Sequence, residues 1–153
     1  MMGHTHAAFG LLVGLVAFSS FSFSPPLFVV LVVFGSLLPD VDSEGSKINK
    51  ILPVTRWVPY LFKHRGFFHS GFPAMLIYIL FLLFGFKEIG IALTIGYLSH
   101  LFLDGLTKMG INLLHPLSTL HVRGFVETGG IVETFVFLGF VVIDGLFLWR
   151  ILF

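Results

Sequence analysis

The chain of 153 residues contains no cysteine and little charge, with 9 Lys and Arg against 8 Asp and Glu. Without cysteine there are no disulfides and no thiolate ligands, so any bound metal must take nitrogen and oxygen donors. A formal net charge of +1 provides no global basic field to attract nucleic acid. The chain has no GxSxG, Walker sequence or dinucleotide fingerprint, and no low-complexity stretch or close internal repeat. Residues 1–24 lack the basic n-region of a secretory signal, and SSFSFSPP is a poor cleavage site. That segment is therefore expected to be a retained first helix.

What the chain has in abundance is apolar sequence. Its mean hydropathy is +1.00, only 11% of its residues are charged, and 20 are phenylalanine. A soluble domain of this size does not need so apolar a sequence. A helical membrane protein does, because in lipid each span must satisfy its own backbone hydrogen bonds. The apolar runs are roughly 7–23, 25–38, 71–86, 88–104 and 131–153. They predict one all-α, polytopic domain over 1–153, built from two helical hairpins (7–38 and 71–104) and a C-terminal helix. A full span usually needs about 20 apolar residues, and 25–38 falls short, so partial penetration of the bilayer stays open. Most of the phenylalanines are expected to face lipid or pack.

Every histidine and most acidic residues fall at one end of these runs. If each run crosses the membrane, His4, His6, Asp40, Asp42, His64, His69, His100, Asp104, Glu127 and Glu133 share one side. A hairpin returns its two ends to the same side whether it crosses or only dips in, so short spans do not disturb this placement. Lys47, Lys50, Arg56, Lys63, Arg65, Lys108 and Arg123 sit on the histidine side, and only Lys87 and Arg150 sit opposite. The positive-inside rule then predicts a cytoplasmic histidine face, with the N-terminus inside and the C-terminus outside.

The fourth run carries the clearest chemistry. Thr94, Tyr97, His100, Asp104 and Thr107 recur every three or four residues and form one polar stripe on a helix. His100 and Asp104, at i and i+4, can grip one ion, and an ionisable pair within an apolar helix is usually functional. The blander reading is a His–Asp hydrogen bond between helices. Asp40 and Asp42 follow a helix end in LLPDVD, where both can face one cation or simply form a solvated turn. In HRGFFHS (64–70), His64 and His69 flank Arg65, whose guanidinium can pair bidentately with phosphate or carboxylate. Ser70 can cap the next helix or touch a substrate oxygen. The same segment also reads as a basic juxtamembrane stretch. His6 is the better candidate in His4-Thr5-His6, because it lies closer to the helix. Glu133 sits within an apolar run and should face protein or an ion, whereas Glu127, His115 and His121 read as loop residues. Residues 47–63 mix lysines with Ile48, Trp57 and Tyr60, which suits either a segment at headgroup depth or an ordinary interfacial loop.

Together, THxxxG (Thr5, His6, Gly10), GSLLPDVD (35–42), HRGFFHS (64–70) and GYLSHLFLDGLTxxG (96–110) resemble the YdjM-like inner-membrane metal-dependent hydrolases, some of them described as LexA-binding. The resemblance covers nearly the whole chain. It implies a site built from His6, Asp40, Asp42, His64, His69, His100 and Asp104. A more remote similarity is to zinc-dependent phospholipase C and the S1/P1-type nucleases. It implies a helical core holding as many as three zinc ions, although the late HxxxE of that group is missing here.

From these residues the expected metal ligands are His6, Asp40, Asp42, His64, His69, His100, Asp104 and Glu133. Asp40, Arg65 and Asp104 are the expected catalytic residues, and Arg65, Ser70 and Thr107 the expected substrate contacts. The donor set suits zinc first, with manganese or iron as alternatives, in two or three ions. The expected activity is hydrolysis of a phosphoester, a phospholipid among the candidates, with membrane lipid as the expected partner. Two rivals stand beside it: an ion- or proton-coupled transporter, and a non-catalytic scaffold with a structural metal.

Overall fold

The computed structural model describes the chain except for residues 22, 44, 52, 62–65 and 119. Among the described residues it is all-helical and without β-strands. Its helices are α1 (Gly3–Ala17), α2 (Pro25–Gly35), α3 (Lys47–Ile51), α4 (Val58–Leu61), α5 (Gly71–Leu83), α6 (Lys87–Gly105) and α7 (Ile131–Leu152). Pro25 and Pro26 begin α2, where a proline's missing N–H costs nothing. Pro39 opens a 3-10 turn over Leu38–Asp42 directly after α2. The described residues between 106 and 130 form no helix and are held by two isolated bridges, Thr107 with Val126 and Ile111 with Val122.

The five apolar runs are all helices, but they are unequal. Two stretches are long and apolar enough to cross a membrane: Pro25–Asp42, and Ile131–Leu152 with a mean hydropathy of 2.2. The expectation of five spans is thus met at only two places. At 1.5 Å per residue α7 is about 33 Å long, whereas α1 has 15 residues and α5 has 13. The other long helix, α6, carries Lys87 and Glu88 at its start and Asp104 near its end.

α7 is inside-out by the standards of a water-soluble helix. Its buried residues are Glu133 and Asp144, while Ile131, Phe135 and Leu146 are exposed. Apolar side chains outside and carboxyls inside make sense where the solvent is lipid.

α6 is the central helix, packing on α1, α2 and α5. Its crossing with α2 is unusually close. A β-carbon on Gly96 would stand 2.0 Å from the Val32 carbonyl oxygen, and one on Gly35 would stand 2.4 Å from that of Leu93. Reciprocal glycines let two backbones meet, as small residues do at helix contacts in membranes. One turn beyond Gly96, this approach brings the end of α2 against His100.

Candidate metal centre

Four separate segments deliver side chains to one end of the bundle. His6 comes from the first turns of α1, Asp40 and Asp42 from the 3-10 turn after α2, His69 from the turn before α5, and His100 and Asp104 from the last turns of α6. The sequence alone expected this gathering. His6, His69, His100 and Asp104 are all buried, and Asp40 keeps 18% of its side chain exposed. Asp40 is therefore the edge by which the cluster meets its surroundings.

The donor atoms converge. His69 Nε2 and His100 Nε2 lie 3.4 Å apart. Asp104 Oδ2 lies 3.6 Å from the first and 3.8 Å from the second, and Asp40 Oδ1 lies 3.8 Å from each. Metal–donor bonds of 2.0–2.1 Å in a tetrahedron put neighbouring donors about 3.3–3.4 Å apart. The imidazole pair already matches that spacing and the carboxylate oxygens exceed it by a few tenths of an ångström, so a small contraction would suffice to enclose an ion. Among the described residues two groups of three could hold one, Asp40, His69 and His100 or His6, His100 and Asp104, with His100 common to both.

The far side of each central imidazole is also held. His69 Nδ1 faces Asp42 Oδ2 at 3.2 Å, and His100 Nδ1 faces the Ser36 carbonyl oxygen at 2.8 Å. With the Nδ1 proton so held, each ring turns an Nε2 lone pair to the cluster. Metal-binding histidines are typically oriented in this way. Ser36 can reach His100 because Gly35 and Gly96 allow α2 and α6 to touch. Tyr97 donates its hydroxyl hydrogen to the Phe68 carbonyl and so pins the His69 turn beside α6.

His6 provides an independent test of the fit. It is 1% exposed and stacks on His100 with ring centroids 3.6 Å apart. Its Nδ1 makes no hydrogen bond, and its Nε2 faces Asp104 Oδ1 at 3.3 Å, an oxygen that also accepts from the N-terminal ammonium of Met1. A buried polar atom without a partner is costly. A cation between His6, His100 and Asp104 would satisfy it. The residues present fit a divalent metal with nitrogen and oxygen ligands.

Other expected site residues lie differently. Asp42 sits behind His69 and outside both groups of three. Glu133 is buried, but its carboxylate accepts hydrogen bonds from Met2 N, Thr5 Oγ1 and Gly129 N, tying α7 to the start of α1. It thus positions the helix that carries His6. Ser70 donates to the Phe67 carbonyl and Thr107 to the Asp104 carbonyl, so both hydroxyls brace the turns that carry site residues. His4 packs edge-on against Phe137. His64 and Arg65 lie outside the described residues. Glu127 is exposed and bonded to Lys108 at 2.8 Å, which holds its carboxyl below the usual range. Sequence reasoning missed the supporting roles of Ser36 and Asn49. The Asn49 side chain donates to the carbonyls of Val41 and Ser43 and fixes the Asp40–Asp42 turn. A backbone carbonyl leaves no sequence signal, and a lone asparagine leaves almost none.

The family model described as YdjM inner membrane protein matches residues 1–152, and the chain belongs to that family. It is 36% identical over 143 residues to a Bacillus subtilis (strain 168) protein named "Uncharacterized protein YvsG", covering 91% of this chain and 89% of the relative. No solved structure matches the chain.

Proposed function

We propose that this member of the YdjM inner membrane protein family is a metal-dependent hydrolase of phosphoesters at the membrane surface. The observation that carries the reading is the convergence of His69 Nε2, His100 Nε2, Asp104 Oδ2 and Asp40 Oδ1 at 3.4–3.8 Å, with both imidazoles held from behind. The chemistry favours zinc, with manganese or iron as alternatives. A divalent ion in such a set polarises a phosphoryl oxygen and lets water attack near neutral pH. Asp40, the half-open ligand, is where a substrate would reach the centre. Asp42 and Ser36 hold His69 and His100 in their ligating tautomers. Arg65, six residues before the helix that follows His69, is assigned the phosphoryl charge.

The chain crosses the membrane more than once in this reading, with the cluster on the cytoplasmic side. Lipid phosphoesters are the natural substrates, because the cluster sits at the end of the apolar helices. Metal content of the purified protein, measured by elemental mass spectrometry, tests the reading first. Wild type should carry stoichiometric zinc, manganese or iron, and a folded His100→Ala/Asp104→Ala variant should carry none. Wild type that stays metal-free after native purification and after metal supplementation would sink it. Metal-loaded wild type would then be screened against phosphoester lipids.

A further inference from the structure

The loop after the Asp40–Asp42 turn folds into a second polar feature. α3, the 3-10 turn over Pro53–Trp57 and α4 border an open pocket of about 350 Å³ lined by Gly45, Asn49, Lys50, Arg56, Pro59 and Tyr60. Lys50 and Arg56 are the charged residues of this wall, and neither has a carboxylate partner among the described residues. Arg56 donates from Nε to the Asn49 carbonyl at 3.3 Å, which leaves its two terminal nitrogens available. Two cations with a phenol beside them suit a phosphate.

The surroundings identify the source of that phosphate. Val54, Trp57 and Tyr60 are 79%, 74% and 74% exposed. A short segment that exposes tryptophan, tyrosine and valine beside basic residues lies where acyl chains meet headgroups. The pocket is also joined to the metal centre. Asn49 forms part of its wall, and the same side chain clamps the backbone on both sides of Asp42.

We infer that the Lys50–Arg56 pocket is a binding site for the headgroup of an anionic phospholipid, seated behind the metal-binding turn. A headgroup with net negative charge satisfies both cations. The inference rests on the membrane part of the proposed function and not on hydrolysis.

Native mass spectrometry of the full chain tests it. The protein would be released from micelles doped with equimolar phosphatidylglycerol and phosphatidylcholine, and the lipids that stay bound would be counted. Wild type should retain phosphatidylglycerol preferentially. Each basic residue near an anionic surface is worth about fivefold in binding, so Lys50→Gln/Arg56→Gln should cut the preference by up to ~25-fold. Lys87→Gln/Arg150→Gln removes the same charge from residues distant in sequence and should leave the preference intact. Equal loss in that control, or no preference in wild type, would overturn the site. Displacement of the lipid by millimolar inorganic phosphate would make free phosphate the ligand and overturn the lipid assignment. The readout needs no turnover, so a catalytically silent protein with an intact lipid preference would refute hydrolysis alone.

Discussion

Asp104 and Asp144 are both buried carboxyls on apolar helices, yet their surroundings are opposite. Asp104 has His6 at 3.3 Å, His69 at 3.6 Å and His100 at 3.8 Å. Asp144 lines an apolar cavity of about 410 Å³ with Ala7, Leu11, Val33, Val141 and Leu148, and its Oδ1 makes no hydrogen bond. It lies 11 residues beyond Glu133, about 16 Å further along α7. One end of the bundle therefore concentrates ligands, with supports behind them, while the described residues away from it offer scattered polar groups: Asp144, Thr94, and Glu88 at the start of α6. A conduction path needs polar groups along its length. A binding centre needs them at one point, and His6, His69, His100 and Asp104 supply such a point.

The largest effect is expected from Asp104→Asn. This substitution keeps the shape but removes a charged donor of one candidate group, which also lies 3.6 Å from His69 and 3.8 Å from His100 of the other. Elemental analysis should find the metal gone while the helical circular dichroism of the detergent-solubilised protein persists. Metal retained at the wild-type level would break the comparison, since Asp104 would then be no more a ligand than Asp144.

A smaller effect is expected from Asp42→Asn, because Asp42 acts through His69. Removing such a support typically weakens metal affinity about 10–100-fold. Titration with a competing chelator should show this loss without a change in stoichiometry. Loss of a whole equivalent of metal would instead make Asp42 a ligand, as the sequence first suggested.

Packing can be separated from chemistry with two glycines. Gly96→Ala drives a methyl group into the Val32 carbonyl, and Gly139→Ala points one into open space. Overpacking of the first kind costs about 1–3 kcal/mol, and the second should stay within about 0.5 kcal/mol. Thermal unfolding in detergent would rank them. Gly96→Ala should also loosen metal, because the displaced backbone carries the Ser36 carbonyl that holds His100.

Much of this was legible in the sequence because hairpin topology is robust. His6, Asp40, His69, His100 and Asp104 flank apolar runs, and returning chains bring such flanks together whatever the depth of each run. The i,i+4 spacing of His100 and Asp104 survives as geometry. The division of labour among the acids was not legible. Asp42 and Glu133 look like ligands in sequence, and only the fold shows that one supports a ring and the other ties α7 to α1. Of the five runs read as spans, two stretches have the length and apolarity to cross, because apolar character reveals burial from water and a 13-residue helix can achieve that without spanning a bilayer.

Asp144→Asn should have the smallest effect, and it is the substitution that decides between the centre and a transport path. The amide would keep the volume of the side chain but could carry no proton or charge. If the polar end works alone, metal content, lipid preference and any phosphoester hydrolysis should match wild type. If a proton or ion passes through the protein, Asp144 is its obvious stop in the deeper part of α7, and the substitution should abolish proton or ion flux into proteoliposomes. Loss of flux, with metal still bound and hydrolysis undetectable in wild type, would reassign His6, His100 and Asp104 from a hydrolytic centre to the entrance of a path. Intact behaviour would leave Asp144 a buried acid that the described structure gives no task, and would confine function to the histidine end.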